Sequence, residues 1–186
     1  MDVLNAIPIR DWQEKVDNDE EVILGSAFAA HRLVKVATGP SPVQRLRLLR
    51  YYYYALTFLK CASSKGRGPK KLPRRDELKN RMGDAPEVVI ENIRRKFSER
   101  GEILKAHVDL LITHLCVFAC IIDNFEVDTL DVRDDLGLEP KVMAQYFNEV
   151  GAKARLLKRA GKTVQMATLS LPLEFPKLRI VRQGRR

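Results

Sequence analysis

Leu136-Gly137-Leu138-Glu139-Pro140 repeats, fifty-four positions on, the pattern of Met82-Gly83-Asp84-Ala85-Pro86: an apolar residue, glycine, two further residues, proline. Glycine tolerates the left-handed backbone that ends a helix. Proline, with its fixed φ and missing N–H, opens the next one. Both stretches predict a helix, a tight turn and a second helix. The apolar positions around the turns keep the same offset: Leu78 falls on Val132, Val89 on Met143 and Ile93 on Phe147. A shared glycine and proline are weak evidence alone, but matched core positions at helical spacing define a duplicated unit.

Upstream of the first turn, Ser41-Pro42 predicts the start of a long helix to about residue 62, with Ser41 as the expected N-cap. Val43, Leu46, Leu49, Tyr53, Leu56 and Leu59 give it one apolar face. Helical spacing spreads Tyr51–Tyr54 around the axis, which favours packing over a stacking site. Ser63–Pro73 reads as a loop, 76–82 and 86–97 as helices, and Ser98–Leu104 as a minimal hairpin turning at Gly101. Upstream of the second turn, 108–122 is apolar nearly all round, as a core helix is. Its apolar run Leu110–Ile122 is too short to span a bilayer, and no membrane partner is expected. Thr129 is expected to cap 130–136. A helix to Val150 follows Pro140, then strands 152–159 and 163–173 joined at Gly161.

Each half therefore holds a long helix, a short helix, a turn, a second helix and a hairpin, which is the order of a winged helix. The expected fold class is mainly α with small β-hairpin wings, a tandem winged helix. The modules run over 41–107 and 108–176, after a linker or tether at 1–40 and before a basic tail at 177–186. In the tether, Ile7, Ile9 and Trp12 can dock on a surface beside the acidic stretch Asp17–Glu21, and Gly25–Ala37 reads as a short helix before a break at Gly39-Pro40.

The net charge of +9 is sorted along the chain: −3 over 1–40, +10 over 41–75, −7 over 76–150 and +9 over 151–186. Two concentrated basic blocks favour a polyanionic partner, nucleic acid first. On the second helix of the second module, Lys141, Gln145 and Asn148 lie at i, i+4 and i+7, opposite the apolar residues. Such a stripe suits a major-groove reader, and equally a solvated face. Lys153, Arg155, Lys158, Arg159 and Lys162 fall on the expected wing, where phosphate contact outranks base reading. In the first module Glu87 and Glu91 would repel phosphates, so any contact there is expected from the loop, with Lys65, Arg67, Lys70 and Lys71, and from Arg94 and Arg95. Asp128, Asp131, Asp134 and Asp135 are ill placed for DNA; they meet a basic protein surface or are solvated.

Three cysteines, Cys61, Cys116 and Cys120, sit in apolar surroundings and read as reduced, buried thiols. His114 points away from the Cys116 and Cys120 face, so no metal site is expected. Phosphate-cradling glycine loops, paired histidines and a nucleophile–base pair are all missing from the sequence. A non-catalytic chain without a cofactor is expected.

Several stretches resemble the C-terminal tandem winged-helix domain of the larger subunit of the RNA polymerase I heterodimer. Ile122–Val127, Asp135–Val142 and Phe147–Ala152 are similar to the heart of its second winged helix, Ala167–Pro176 to its closing strand and Gly184-Arg185-Arg186 to its basic end. Arg45–Tyr51 and Ala85-Pro86-Glu87 fit its first module, although Ser98–Leu104 is shorter than that family's first hairpin. The resemblance implies a fold built like transcription factor IIE beta. It also implies a place in the nucleus and nucleolus, and a role in initiation and elongation on ribosomal RNA genes. The implied partners are upstream or cleft-proximal duplex DNA, RNA polymerase I core subunits and initiation factors. The family's N-terminal dimerisation domain has no counterpart here, so the chain is expected to be a fragment. The competing expectation is a winged-helix scaffold that binds other proteins and not DNA.

Overall fold

The computed structural model describes residues 3–64, 68–159 and 161–176, with the side chains of Arg159 and Lys162 outside that description. A single 3-10 turn, Val3–Ala6, precedes α1 (Arg10–Asp17), α2 (Ala27–Ala37) and α3 (Pro42–Cys61). The first helix–turn–helix follows as β1 (Lys70–Lys71), α4 (Arg75–Arg81), α5 (Glu87–Phe97) and β2 (Glu102–Ile103). The second begins with α6 (Lys105–Ile122) and continues through β3 (Glu126–Asp128), α7 (Leu130–Leu136), α8 (Pro140–Glu149), β4 (Lys153–Arg159) and β5 (Lys162–Thr168). The protein is mainly α-helical with small antiparallel sheets, as the sequence predicts.

The duplicated turn is visible in the backbone. Gly83 and Gly137 both have φ of +63°, a conformation that a side chain would strain. Leu78, Val89 and Ile93 in one half and Val132, Met143 and Phe147 in the other are all buried. The sheets repeat as well. In the second half β5 lies between β3 and β4. In the first, β2 pairs with β1 on one side and bridges back from Glu102 to Glu99 on the other. The first wing is thus the second in miniature, closed by Arg100 and Gly101 at positive φ.

Helices α3 and α6 join the halves. Tyr51 meets Phe118 edge-on at 5.5 Å and donates a hydrogen bond from its hydroxyl to Asn92 Oδ1 of α5. Tyr52 and Tyr54 are buried too, so the tyrosine run packs as helical spacing predicts. Helix α6 starts three residues before the expected position and packs on α3, α5 and α8. Its 18 residues are long and apolar enough to cross a membrane by length and composition, yet its buried face fills the core between the two halves.

Residues 3–37 differ most from expectation in their packing, although the short helix expected over 25–37 forms as α2. In place of a tether they form ordered, packed structure. Ile7 and Trp12 are buried, and α2 lays Phe28, Leu33 and Val36 into the common core. Burying Phe28 or Leu33 contributes about 1.5–3 kcal/mol each. The anchors explain why the segment reads as a linker: they come from far along the chain. Arg50, 1% exposed, receives the segment with its guanidinium. It stacks over Trp12, donates to the Pro8 carbonyl at 2.6 Å, and pairs with Asp11 on one side and Asp84 of the first turn on the other. Its Nε donates to the Tyr54 hydroxyl at 2.8 Å.

Helix α2 is tied in turn to the second half. Asp135 Oδ1 accepts the Ala27 N–H at 2.7 Å, and Oδ2 accepts the Ser26 hydroxyl at 2.5 Å. Arg32 reaches Asp123 and Asp131. Asp131 and Asp135 are therefore committed to partners within the chain. They hold α2 against α7. Two caps also differ. Ser41 lies in the left-handed region without a capping hydrogen bond. Thr129 spends its hydroxyl on the Gln165 carbonyl, while Asp128 Oδ1 accepts the Leu130 N–H at 3.0 Å. The strand expected over 163–173 ends at Thr168.

Candidate nucleic-acid interface

Helix α8 is set by Gly137, Pro140 and its two core residues, Met143 and Phe147. Its exposed side carries Lys141, Gln145 and Glu149, one turn apart. Gln145 Nε2 donates to Glu149 Oε1 at 3.0 Å. Asn148, expected on the same stripe, is half-buried, and its Oδ1 accepts the Ala154 N–H at 3.1 Å. It fixes the first residues of the wing and is not presented with Lys141 and Gln145. The stripe expected from the sequence is therefore reduced to a lysine, a glutamine and a carboxylate.

Beneath this face Tyr146 donates from its hydroxyl to Asp109 Oδ1 at 2.6 Å, and Lys105 pairs with Asp109 Oδ2 at 2.7 Å. Burial pushes the Asp109 carboxyl up, but the hydrogen bonds from Lys105 and Tyr146 outweigh it, leaving Asp109 below its ordinary value. Burial and then the Asp109 charge raise the Tyr146 phenol. The group is a fixed anion with a neutral tyrosine on it, and it locks α8 to α6.

The wing pairs Lys153 with Thr168 at its base and Arg159 with Lys162 at its tip. Strand alternation puts Lys153 and Arg155 on one face and Lys158 on the other. Lys153 Nζ pairs with Glu174 at 2.9 Å. Arg155 and Lys158 are exposed, and no ion pair holds either among the described residues. Between wing and helices lies a cleft of about 220 Å³ lined by Leu130, Arg133, Pro140 and Leu156. Arg133, which the sequence reading passes over among its aspartates, donates to Asp134 at the edge of this cleft. Its signal was its place one turn before Gly137.

The first half is arranged differently. Glu87 and Glu91 of α5 are not bare: Arg75 reaches both, and Lys79 reaches Glu87 at 3.3 Å. Hydrogen bonds from Arg75 and then Lys79 hold the Glu87 carboxyl below its usual range. Arg94 pairs with Glu91, while Arg95 is exposed. Lys70 and Lys71 form β1, with Lys71 3.9 Å from Glu102. The 3-10 turn at 3–6 packs on α5 and α3. Lys65, Arg67 and the tail 177–186 lie outside the described residues.

No group of metal-ligating side chains gathers among the described residues. Cys61, Cys116 and Cys120 are buried free thiols, as expected. Burial raises the Cys120 thiol to about 11 and the Cys116 thiol well above its ordinary value. His114 donates from Nδ1 to the Leu110 carbonyl at 2.7 Å and meets Phe97 edge-on.

These features define a class: a duplicated helix–turn–helix protein with a vestigial wing on its first unit and a long basic wing on its second. A family model described as A49-like RNA polymerase I associated factor matches residues 1–176, and the chain belongs to that family. It is similar to DNA-directed RNA polymerase I subunit rpa49 of Schizosaccharomyces pombe, with 27% identity over 186 residues, covering 91% of this chain and 41% of the relative. The chain thus spans about two fifths of that relative's length.

Proposed function

We propose that this chain is a DNA-binding, non-catalytic part of an RNA polymerase I subunit, built as two winged helices. It acts in the nucleus, at the nucleolus, in initiation and elongation of ribosomal RNA gene transcription, on upstream or cleft-proximal duplex. The observation that carries this reading is the second wing. Arg155 and Lys158 stand exposed, with no carboxylate partner among the described residues, beside an α8 whose outward face bears Lys141. Cations in that state reach phosphates without first breaking an ion pair. Family membership supports association with RNA polymerase I; core subunits and initiation factors are the partners this reading assigns. The altered α8 stripe argues for backbone contact over base reading.

A second reading applies to the first unit. Its α5 face is neutralised by Arg75 and Lys79 and flanked by the 3–6 turn, an arrangement suited to protein contact. In this scheme the two units divide the work, the second on DNA and the first on the polymerase. Titration of a labelled duplex at several salt concentrations tests the DNA role. Contact with about six phosphates gives a log–log slope of about −5. A flat salt response, or no binding at low salt, overturns it.

A further inference from the structure

A cleft of about 760 Å³ lies where the start of α3 crosses the end of α6, on a part of the molecule that the DNA reading does not use. Leu4, Leu48, Phe118 and Ile121 give it an apolar floor, and Arg45 and Arg47 supply its charge. No carboxylate among the described residues lines it. Arg45 donates to the Ile121 carbonyl at 3.1 Å and to Asn124, and Arg47 donates to Asn5 Oδ1 at 2.7 Å. All three acceptors are neutral, and among the described residues neither guanidinium has an acidic partner. Arg47 Nε is buried without an acceptor among the described residues. The twenty-residue helix α3 also begins here, at a Ser41 that makes no side-chain cap, so its positive end adds to the two arginines.

We propose that this cleft is a docking site for an acidic peptide segment bearing a bulky apolar side chain. Charge complementarity selects the carboxylates. Two guanidiniums without an acidic partner among the described residues, and a helix start without a side-chain cap, attract anions, and arginine pairs with carboxylates in a bidentate fork. The apolar floor selects the second feature. A phosphate backbone leaves that floor wet, whereas an aromatic or leucine side chain between acidic residues covers it. The size falls within the roughly 300–1,000 Å³ of ordinary ligand clefts. Position makes the site independent of the DNA face. Ile121 lies twelve residues along α6 from Asp109, which anchors α8, a separation of about 18 Å. Peptide and duplex can therefore be held together, and the site does not depend on the DNA assignment.

The test uses the 186-residue chain and a fluorescein-labelled peptide of about fifteen residues, aspartate and glutamate around one central phenylalanine. Binding is followed by anisotropy, with Kd on the order of 10 µM expected. Replacing the phenylalanine by alanine, or the acids by glutamine, is expected to weaken it at least about tenfold. Arg45→Gln with Arg47→Gln does the same. Gln44→Trp, which fills the mouth and keeps both arginines, gives an equal loss and guards against a folding defect, as do unchanged urea midpoints. Duplex affinity stays within about twofold in each variant, and duplex does not displace the peptide. Equal binding of the alanine peptide, displacement by duplex, or no binding at about 1 mM protein overturns the proposal.

Discussion

Asp135 accepts the backbone N–H of Ala27 at 2.7 Å, so the last turn of α7 caps the first turn of a helix 108 residues earlier. The same carboxylate takes the Ser26 hydroxyl and, at 3.2 Å, the Phe28 N–H. Asp135→Ala leaves these donors without an acceptor and is expected to cost about 2 kcal/mol in urea unfolding. Asp135→Asn keeps one acceptor and should lose about half as much. A wild-type midpoint for the alanine variant would show that α2 is held without Asp135, by packing and by Arg32.

Arg50 is the corresponding anchor for the start of the chain. Arg50→Met keeps much of the volume but removes the donor to the Pro8 carbonyl and the cation shared by Asp11 and Asp84. Both carboxylates are about half exposed, so the expected loss is about 1–2 kcal/mol. Calorimetry on both proteins measures it, and a loss near zero removes Arg50 from the account of the N-terminal segment.

The pH dependence of that anchor has a definite sign. Burial pushes the Asp11 carboxyl up, but hydrogen bonding to Arg50 and the Arg50 charge outweigh it, so Asp11 lies below its ordinary 3.8. A depressed carboxylate stabilises the fold above its unfolded value, and the contribution is lost as pH falls through the folded one. The urea midpoint should therefore decline below about pH 4, and Asp11→Asn should flatten part of that decline. The carboxylate is half exposed, so the effect is modest. An unchanged profile in the variant counts against the pairing.

Arg155→Glu with Lys158→Glu should reduce duplex affinity at least about tenfold near 0.1 M salt and flatten the salt slope by about 2. Lys70→Glu with Lys71→Glu, on the first wing, should cost less. Circular dichroism checks that both variants keep the fold. Equal losses would move the main DNA surface to the first unit.

The thiols offer a check on packing. Burial holds Cys116 and Cys120 protonated well above neutral pH, and only the thiolate attacks a disulfide reagent. Reaction with Ellman's reagent at about pH 8 should be slow in the native protein and rapid in denaturant. Fast native reaction at Cys116 would place α6 outside the core.

Gly83 with Pro86 and Gly137 with Pro140 made both turns legible, because a left-handed residue and a helix-opening proline leave direct marks in a sequence. Leu78, Val89 and Ile93 and their partners at the same offset were legible for the same local reason. What stayed hidden was decided at long range. Nothing near Trp12 announces Arg50, and nothing near Ala27 announces Asp135, so a packed segment reads as a tether. Asn148 shows the same limit within the candidate site. Helical spacing gives its angle on α8, but only the path of the wing shows that Ala154 claims its side chain. Lys141, Arg155 and Lys158 could be picked out by charge, and their lack of a carboxylate partner among the described residues needed the fold.

Helix α2 runs along α3 and is pinned to α7 by Asp135 and by Arg32 on Asp131. It acts as a splint across the joint between the halves. Rotating one half against the other would break the α2–α3 packing and the Asp135 and Asp131 contacts together, so the joint is braced and not hinged. The pair of units then behaves as a ruler of set length, and whatever grips each end is held at one spacing and one angle.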